Sequence, residues 1–166
     1  IVAFMDKRKV LDEMIRKLQT ELDALIQAAN AAHEAATHEE SKAEDQHYTR
    51  GLEASYLAGA QANRAAELQK LISIFRVFPI RDFSESDAID LGAFVELAPT
   101  ENPGRKSWYF LVGQGGGHSV TWEGRPVHVI TPQAPLGDAL LGKKVGDPVE
   151  VESQNQIREY EILGVL

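Results

Sequence analysis

The stretch from residue 6 to residue 36 restricts the possible folds of this chain more than any other part of the sequence. It contains neither glycine nor proline, and apolar side chains recur along it at alternating steps of four and three residues. A 3.5-residue repeat sustained for nearly four heptads predicts a long α-helix with a seam that a second helix covers. The seam consists of Leu11, Ile15, Leu18, Leu22, Leu25, Ala29, Ala32 and Ala36.

A second helical segment, from about residue 43 to residue 78, supplies the partner helix. Its large apolar residues come late in the segment, whereas Ala58, Gly59 and Ala62 come early. Antiparallel pairing would then place large side chains together at the base and small ones together near the turn. This taper predicts a hairpin within one chain, and hence a monomer. The stripe of the second helix consists of Leu57, Gln61, Ala65, Leu68, Ile72 and Phe75.

The second half of the chain has a different apolar period. Pro79 ends the helix, and from Gly92 the apolar residues alternate with a period of two, as in strands. Five such runs and a short helix, opened by Pro135 and closed by Gly142, predict an antiparallel five-stranded sheet with one helix packed on it. The expected fold is therefore α+β. Residues 1–78 form the hairpin, 79–91 a linker and 92–166 the β-rich domain.

Charge and composition narrow the class of protein. The formal charge is −8, with a net of −2 in residues 1–78 and −6 in residues 79–166, so neither half is a basic nucleic-acid-binding module. No cysteine is present, and no run of about 18 apolar residues predicts a membrane span. These features favour a cytoplasmic protein. Ile1–Phe4 precede Met5, which is a plausible natural start.

Four carboxylates lie within seven residues where the two helices are expected to turn. Glu39, Glu40, Glu44 and Asp45 all fall in the tip segment 38–45. One interpretation is helix capping, because Ser41 followed by Glu44 is a capping box. Capping does not explain the two acids before Ser41, because negative charge is unfavourable at the C-terminal end of a helix. The other interpretation is that the hairpin carries these acids to a distant target.

The C-terminal sequence resembles a known family. The run Thr131–Asp147, with Ala139-Leu-Leu-Gly-Lys-Lys-Val-Gly-Asp147 at its end, and the later Arg158-Glu-Tyr-Glu-Ile-Leu163 are similar to the C-terminal domain of Gre-type (GreA/GreB family) transcription elongation factors. An acidic-tipped hairpin before this domain fits the same family. The resemblance implies an FKBP-like fold that docks at the rim of the RNA polymerase secondary channel. By position in the motif, Pro135, Leu136 and Gln133 are the implied polymerase-binding residues.

The resemblance also implies a role for the tip. In the family the hairpin enters the channel, and tip carboxylates share a Mg²⁺ ion of the polymerase active centre during cleavage of backtracked nascent RNA. Here Glu44, with Glu40 or Asp45, would take that role. Apart from the resemblance, Lys42 and Arg50 near the tip are candidates to guide the RNA 3′ end, although solvated surface charge is the commoner role of such residues. The chain would then be an accessory factor rather than an enzyme, with no cofactor bound alone. DNA binding is a further property that the family implies.

Two departures from the family pattern leave alternatives open. Ser41 stands where the family tip has an aspartate, which admits a factor that occupies the channel and inhibits polymerase instead. Gln133 replaces the family's acid before the docking helix. A third function, from another class, is a non-catalytic adaptor of the nucleoside-diphosphate-kinase-regulator type, although its hairpin is shorter than the seam seen here.

Other patterns have simpler explanations. His33, His38 and His47 lie near the tip without the spacing of a metal-binding helix, so a histidine metal site is the weaker interpretation. The glycine-rich Gly113–Gly117 lacks the lysine and following helix of a phosphate loop, and is expected to be a hairpin connection. Arg64 and Lys70 are expected to be ordinary surface residues of the hairpin.

Overall fold

The computed structural model describes the backbone of residues 5–39, 47–153 and 155–166, and the side chains of these residues except 36–39, 47–56 and 153. The helices are α1 (Lys7–Glu39), α2 (His47–Arg76) and α3 (Pro135–Leu140). The strands are β1 (Phe94–Pro99), β2 (Ser107–Leu111), β3 (Ser119–Trp122), β4 (Arg125–Ile130), β5 (Pro148–Ser153) and β6 (Gln156–Val165). No helix in these ranges is long and apolar enough to span a membrane.

The chain divides into two compact units. One is Ile15–Val77, and the other combines Ile1–Met14 with Phe78–Leu166. The first unit contains most of α1 and all of α2, with Leu18 and Leu22 buried on α1 and Leu68, Ile72 and Phe75 buried on α2. These residues belong to the two predicted seams. The predicted antiparallel helical hairpin is confirmed.

Burial of the seam ends before the helices do. Of the seam residues, Leu57 is 64% exposed, and the alanines Ala29 and Ala32 are exposed as well. Ile26, next to the seam residue Leu25, is 43% exposed. The prediction that small residues pack closely on small ones toward the turn is therefore wrong for the described part of the hairpin. A methyl group buries little apolar area, so little free energy is gained by covering it.

The second unit contains one six-stranded sheet in the order β3-β4-β2-β1-β6-β5. All neighbouring strands are antiparallel except β2 and β4, which pair in parallel, with Trp108 opposite Val127 and Leu111 opposite Ile130. The α+β class is confirmed, but the expected five antiparallel strands are wrong in two respects. The four-residue strand β3 was not predicted, because it is short and follows a glycine-rich loop. The parallel pair is the second difference.

The glycine-rich loop explains the parallel pair. Gly113–Gly117 was expected to be a hairpin connection, but β2 and β3 are not neighbours in the sheet, because β4 lies between them. The loop carries the chain to the sheet edge, where β3 and β4 form a hairpin with Val120 opposite Val127. Gly115 and Gly117 adopt φ of 92° and 91°, which glycine reaches without steric cost.

Strand β1 is covered on both faces. Val95 and Leu97 belong to a core cluster that includes Leu140 of α3. On the other face, the Phe94 ring stacks on the Phe110 ring with centroids 4.1 Å apart. The edge of Phe78 meets Phe110 at 5.2 Å. A strand buried on both sides fixes the register of its neighbours, because a one-residue slip would exchange the two sets of side chains.

The start of α1 is tied to the linker within the same unit. The Lys7 ammonium is buried and donates to the backbone carbonyl of Arg81, while Arg8 donates to the carbonyl of Phe78 at 3.1 Å. Burial lowers the pKa of Lys7, and the nearby Asp82 carboxylate partly opposes this shift. Two cationic side chains therefore satisfy backbone carbonyls where the chain leaves α2.

Helix α3 approaches the preceding loop closely at Gly137. A Cβ atom on this buried residue would lie 2.0 Å from the carbonyl oxygen of Thr131, closer than any real contact. We therefore expect Gly137→Ala to destabilise this unit by about 2 kcal/mol or more, because backbone rather than a flexible side chain must move. Thermal or urea unfolding of the full chain measures the change.

Gly104→Ala is the matched control in the same unit. A Cβ there would meet only the Asn102 side chain, at an ordinary 3.6 Å. Its unfolding transition should stay close to that of the wild type. Equal stability of the two variants would contradict the close approach at α3.

Candidate functional site

The predicted docking residues surround the beginning of α3. Pro135 occupies the first turn of the helix, where its missing N–H is not needed, and it is exposed, as is Gln133. Leu136 is only partly exposed and packs against the core cluster. Pro135 and Gln133 thus face solvent, whereas Leu136 also holds α3 to the sheet.

The backbone before α3 holds this surface in place. The Ala134 N–H donates to the Thr131 carbonyl at 3.0 Å, and the Asp138 N–H donates to the Ala134 carbonyl at 2.9 Å. Leu140 is fully buried at the other end of the helix. With the Gly137 contact, these bonds leave α3 little freedom to move, so Pro135 is presented from a fixed position.

The tip residues fall in the segment that joins the two long helices. Helix α1 ends at Glu39 and α2 begins at His47. Glu40, Lys42, Glu44 and Asp45 lie outside the described residues, as does the side chain of Arg50, whose backbone is in α2. Their predicted roles stay predictions.

No metal site is evident in the part of the chain that the structure describes. There, no group of three or more histidine, aspartate or glutamate side chains could hold a metal ion. His33 is exposed on α1, and the side chains of His38 and His47 are outside the described residues. The histidine metal site considered from the sequence therefore gains no support.

Arg64 has a role that the sequence did not indicate. Its Nε and Nη2 donate to one carboxylate oxygen of Glu21 at 3.1 and 2.7 Å, and its Nη1 lies 3.6 Å from Glu67. The hydrogen bond to Glu21 is the main reason that the pKa of Arg64 is raised. The pair joins α1 to α2 across the hairpin, although its exposure limits its contribution to stability. Only the three-dimensional pairing of the helices identifies it.

His128 on β4 is a second residue that the sequence analysis missed. Its ring lies 5.3 Å from the ring of Tyr109 on β2, and the two residues are partners in the parallel pair. Burial lowers the pKa of His128 from its ordinary value of 6.5. The folded protein therefore holds this imidazole neutral at neutral pH.

This shift predicts a pH dependence of stability. Between the folded pKa and pH 6.5, the unfolded chain binds more protons at His128 than the folded chain does. The free energy of unfolding should therefore fall as the pH is lowered through this window. Below the folded pKa, His128 is protonated in both states and causes no further decrease. Urea unfolding measures the free energy of unfolding at about pH 7.5 and about pH 5.5. Its decrease between these two pH values should be smaller for His128→Gln than for the wild type. Equal losses would mean that His128 is not the titrating group.

Comparison with known proteins identifies the family of this chain. The family described as "Transcription elongation factor, GreA/GreB, C-term" matches residues 84–166. Transcription elongation factor GreA of Acidiphilium cryptum is 31% identical over 155 residues, which cover 93% of this chain and 90% of the relative. GreA of Thermotoga petrophila is 24% identical over 159 residues, with coverage of 96% and 90%.

The chain is also similar to a solved structure of the GreA factor homolog Gfh1 of Thermus thermophilus. The two are 22% identical, with coverage of 92% of this chain and 94% of that one and a TM-score of 0.37. The helical hairpin, the mixed sheet and α3 define a two-unit α+β protein. The family match places it in the class of transcription elongation factors. The chain belongs to the GreA/GreB family of transcription elongation factors. The expected DNA binding finds no support in these comparisons.

Proposed function

We propose that the protein binds RNA polymerase at the secondary channel and stimulates cleavage of backtracked nascent RNA by the polymerase. The observation that carries this proposal is the joining of two long helices by a carboxylate-rich segment in a GreA/GreB family chain. The protein acts as an accessory factor. It needs no cofactor of its own, because the polymerase supplies the catalytic centre.

The length of the helices supports a role at a distance. The 33 residues of α1 extend roughly 50 Å at 1.5 Å per residue. Burial of the seam stops near Leu25, so the described residues beyond it contribute little to the packing of the hairpin. A segment that adds so little to the stability of the fold is better explained by what its end must reach.

The donor set at the tip fits a magnesium ion. Glu44 with Glu40 or Asp45 offers carboxylate oxygens, the ligand type that Mg²⁺ takes, often from only one or two side chains beside substrate phosphate. An ion held by these residues together with the polymerase would supply charge stabilisation at the scissile phosphate. The chain's own residues would contribute the negative ligands, and Lys42 and Arg50 would orient the RNA 3′ end.

The charge distribution requires a protein partner. With a net of −2 in residues 1–78 and −6 in residues 79–166, the chain has no broad positive surface for nucleic acid. The nascent RNA must therefore be presented by the polymerase. The exposed Pro135 and Gln133 on the fixed helix α3 are the proposed docking contacts.

Replacement of one tip carboxylate tests the proposed activity. Glu44→Gln keeps the shape of the side chain and removes its charge, so stimulated cleavage should fall by about a hundredfold or more while polymerase binding is retained. Gel analysis of RNA from stalled elongation complexes measures the rate. If Glu44 only caps the helix, the cleavage rate should fall by less than about tenfold, because the helix-dipole contribution at an exposed site is at most about 1 kcal/mol.

Glu34→Gln, at an exposed position on α1, is the matched control and should cleave like the wild type. Equal cleavage by Glu44→Gln and wild type would remove the tip carboxylate from the mechanism. Ser41, at the family's aspartate position, favours a second candidate function, inhibition by channel occupancy. That function would show as blocked elongation without cleavage. Polymerase binding with neither effect would favour the adaptor alternative.

The docking contacts have their own test. Pro135→Ala should weaken binding to core polymerase without lowering the melting temperature of the sheet unit, because Pro135 is exposed. Gln133→Asp restores the family's acid and should strengthen binding. Leu136 is unsuitable for this test, since it packs on the core and a polar replacement would also destabilise the unit. Affinities equal to that of the wild type in both variants would place the docking surface elsewhere.

A further inference from the structure

A cavity of about 700 Å³ opens on the sheet face that carries α3, and none of its lining residues belongs to α3. Strands β4, β2, β1 and β6 contribute to it, together with the β1–β2 connection. Its volume falls within the range typical of ligand sites, about 300–1,000 Å³. The cavity is separate from Pro135 and Gln133, so the proposed docking contacts do not account for it.

Ring side chains form the floor of the cavity. His128, Tyr109 and Tyr160 lie on the same face of the sheet as Leu97, since residues directly opposite or two apart on a strand share a face. Burial raises the pKa of Tyr109, and the neighbouring Tyr160 adds to the shift. The Tyr109 phenol therefore stays protonated at neutral pH, available as a hydrogen-bond donor beside a neutral imidazole.

Two guanidinium groups lie at the rim. Arg105 comes from the β1–β2 connection and is close enough to Tyr109 to oppose the rise in its pKa. Arg158 lies on β6, two residues before Tyr160 and on the same face. Among the described residues, neither guanidinium has a hydrogen bond or an ion pair. An unpaired arginine fork is suited to bidentate binding of a carboxylate or phosphate.

The acidic residues at the cavity are less favourably placed to neutralise these arginines. Glu159 lies between Arg158 and Tyr160, so strand alternation directs its side chain to the opposite face. Glu101 lies on the β1–β2 connection and is exposed. Glu101 and Glu159 line the cavity together with Arg105 and Arg158, so its formal charge is balanced, but among the described residues neither acid is paired with either arginine. The cavity therefore offers two unpaired guanidinium groups beside a floor of aromatic rings, inside a segment, residues 79–166, whose net charge is −6.

We propose that this cavity binds an acidic peptide segment of a partner protein. One carboxylate would lie between Arg105 and Arg158, and an adjacent apolar side chain would pack on the rings of Tyr109 and Tyr160. Arginine and aromatic rings also suit single-stranded nucleic acid, but a polyanion would bring many charges to a domain that is itself negative. A peptide brings one carboxylate to the only positive part of the cavity. This site goes beyond the proposed function and does not depend on it.

A short peptide pair tests the proposal on the full chain. The probes are an N-acetylated, C-amidated Leu-Glu-Leu peptide and its Leu-Gln-Leu counterpart, followed by NMR shifts of the His128 and Tyr109 ring signals. The glutamate peptide should shift these signals saturably, and the glutamine peptide should bind at least about tenfold more weakly, because the charged hydrogen bonds to arginine are lost. Equal binding of the two peptides, or no shift, would overturn the proposal.

Arginine variants locate the site. Arg105→Gln and Arg158→Gln should each weaken binding of the glutamate peptide. Lys106→Gln is the control and should leave this binding unchanged, because Lys106 carries the same charge next to Arg105 but does not line the cavity. A six-nucleotide single-stranded RNA that shifts the same signals and binds with higher affinity than the glutamate peptide would contradict the choice of an acidic peptide as the ligand. Should a variant fold poorly, the two-peptide comparison on the wild type still decides.

Discussion

Burial of strand β1 on both faces is the constraint on which the sheet unit depends. Phe94, stacked on Phe110, closes one face, and Val95 and Leu97 join Leu140 of α3 on the other. Because β1 lies at the centre of the sheet order, between β2 and β6, its register sets those of both neighbours. The position of α3, and with it that of Pro135, follows from this packing.

The helical unit, unlike the sheet unit, is buried at one end only. Its apolar seam is buried at the base, with Leu18, Leu22 and Phe75 inside, and becomes exposed beyond Leu25. Burial is thus concentrated at one end, and the described residues beyond it are largely exposed, including the large apolar Ile26 and Leu57. In the proposed function, this unit carries the carboxylate-rich segment 38–45. In the same proposal, the sheet unit docks on the polymerase and the helical unit provides reach.

The sequence predicted the parts of the fold that local periodicity determines. The heptad seam from Leu11 to Leu25 and the alternation in β1, β2 and β6 were sufficient for the class and for most elements. Periodicity cannot show which strands are neighbours, so the parallel pairing of β2 with β4 and the role of Gly113–Gly117 were missed. Contacts between distant residues, such as Glu21 with Arg64 or Tyr109 with His128, leave no local pattern. For the site, the motif around Pro135 was readable, but the core contact of Leu136 was not.

In the proposed function, the acidic segment acts inside a polymerase complex that the sheet unit holds. A titration of the wild-type protein into stalled elongation complexes tests it most directly, with polymerase occupancy and RNA length followed in the same samples. We expect the transcripts to shorten, and the shortening to saturate at the protein concentration that saturates binding. Full occupancy with transcripts of unchanged length would contradict it.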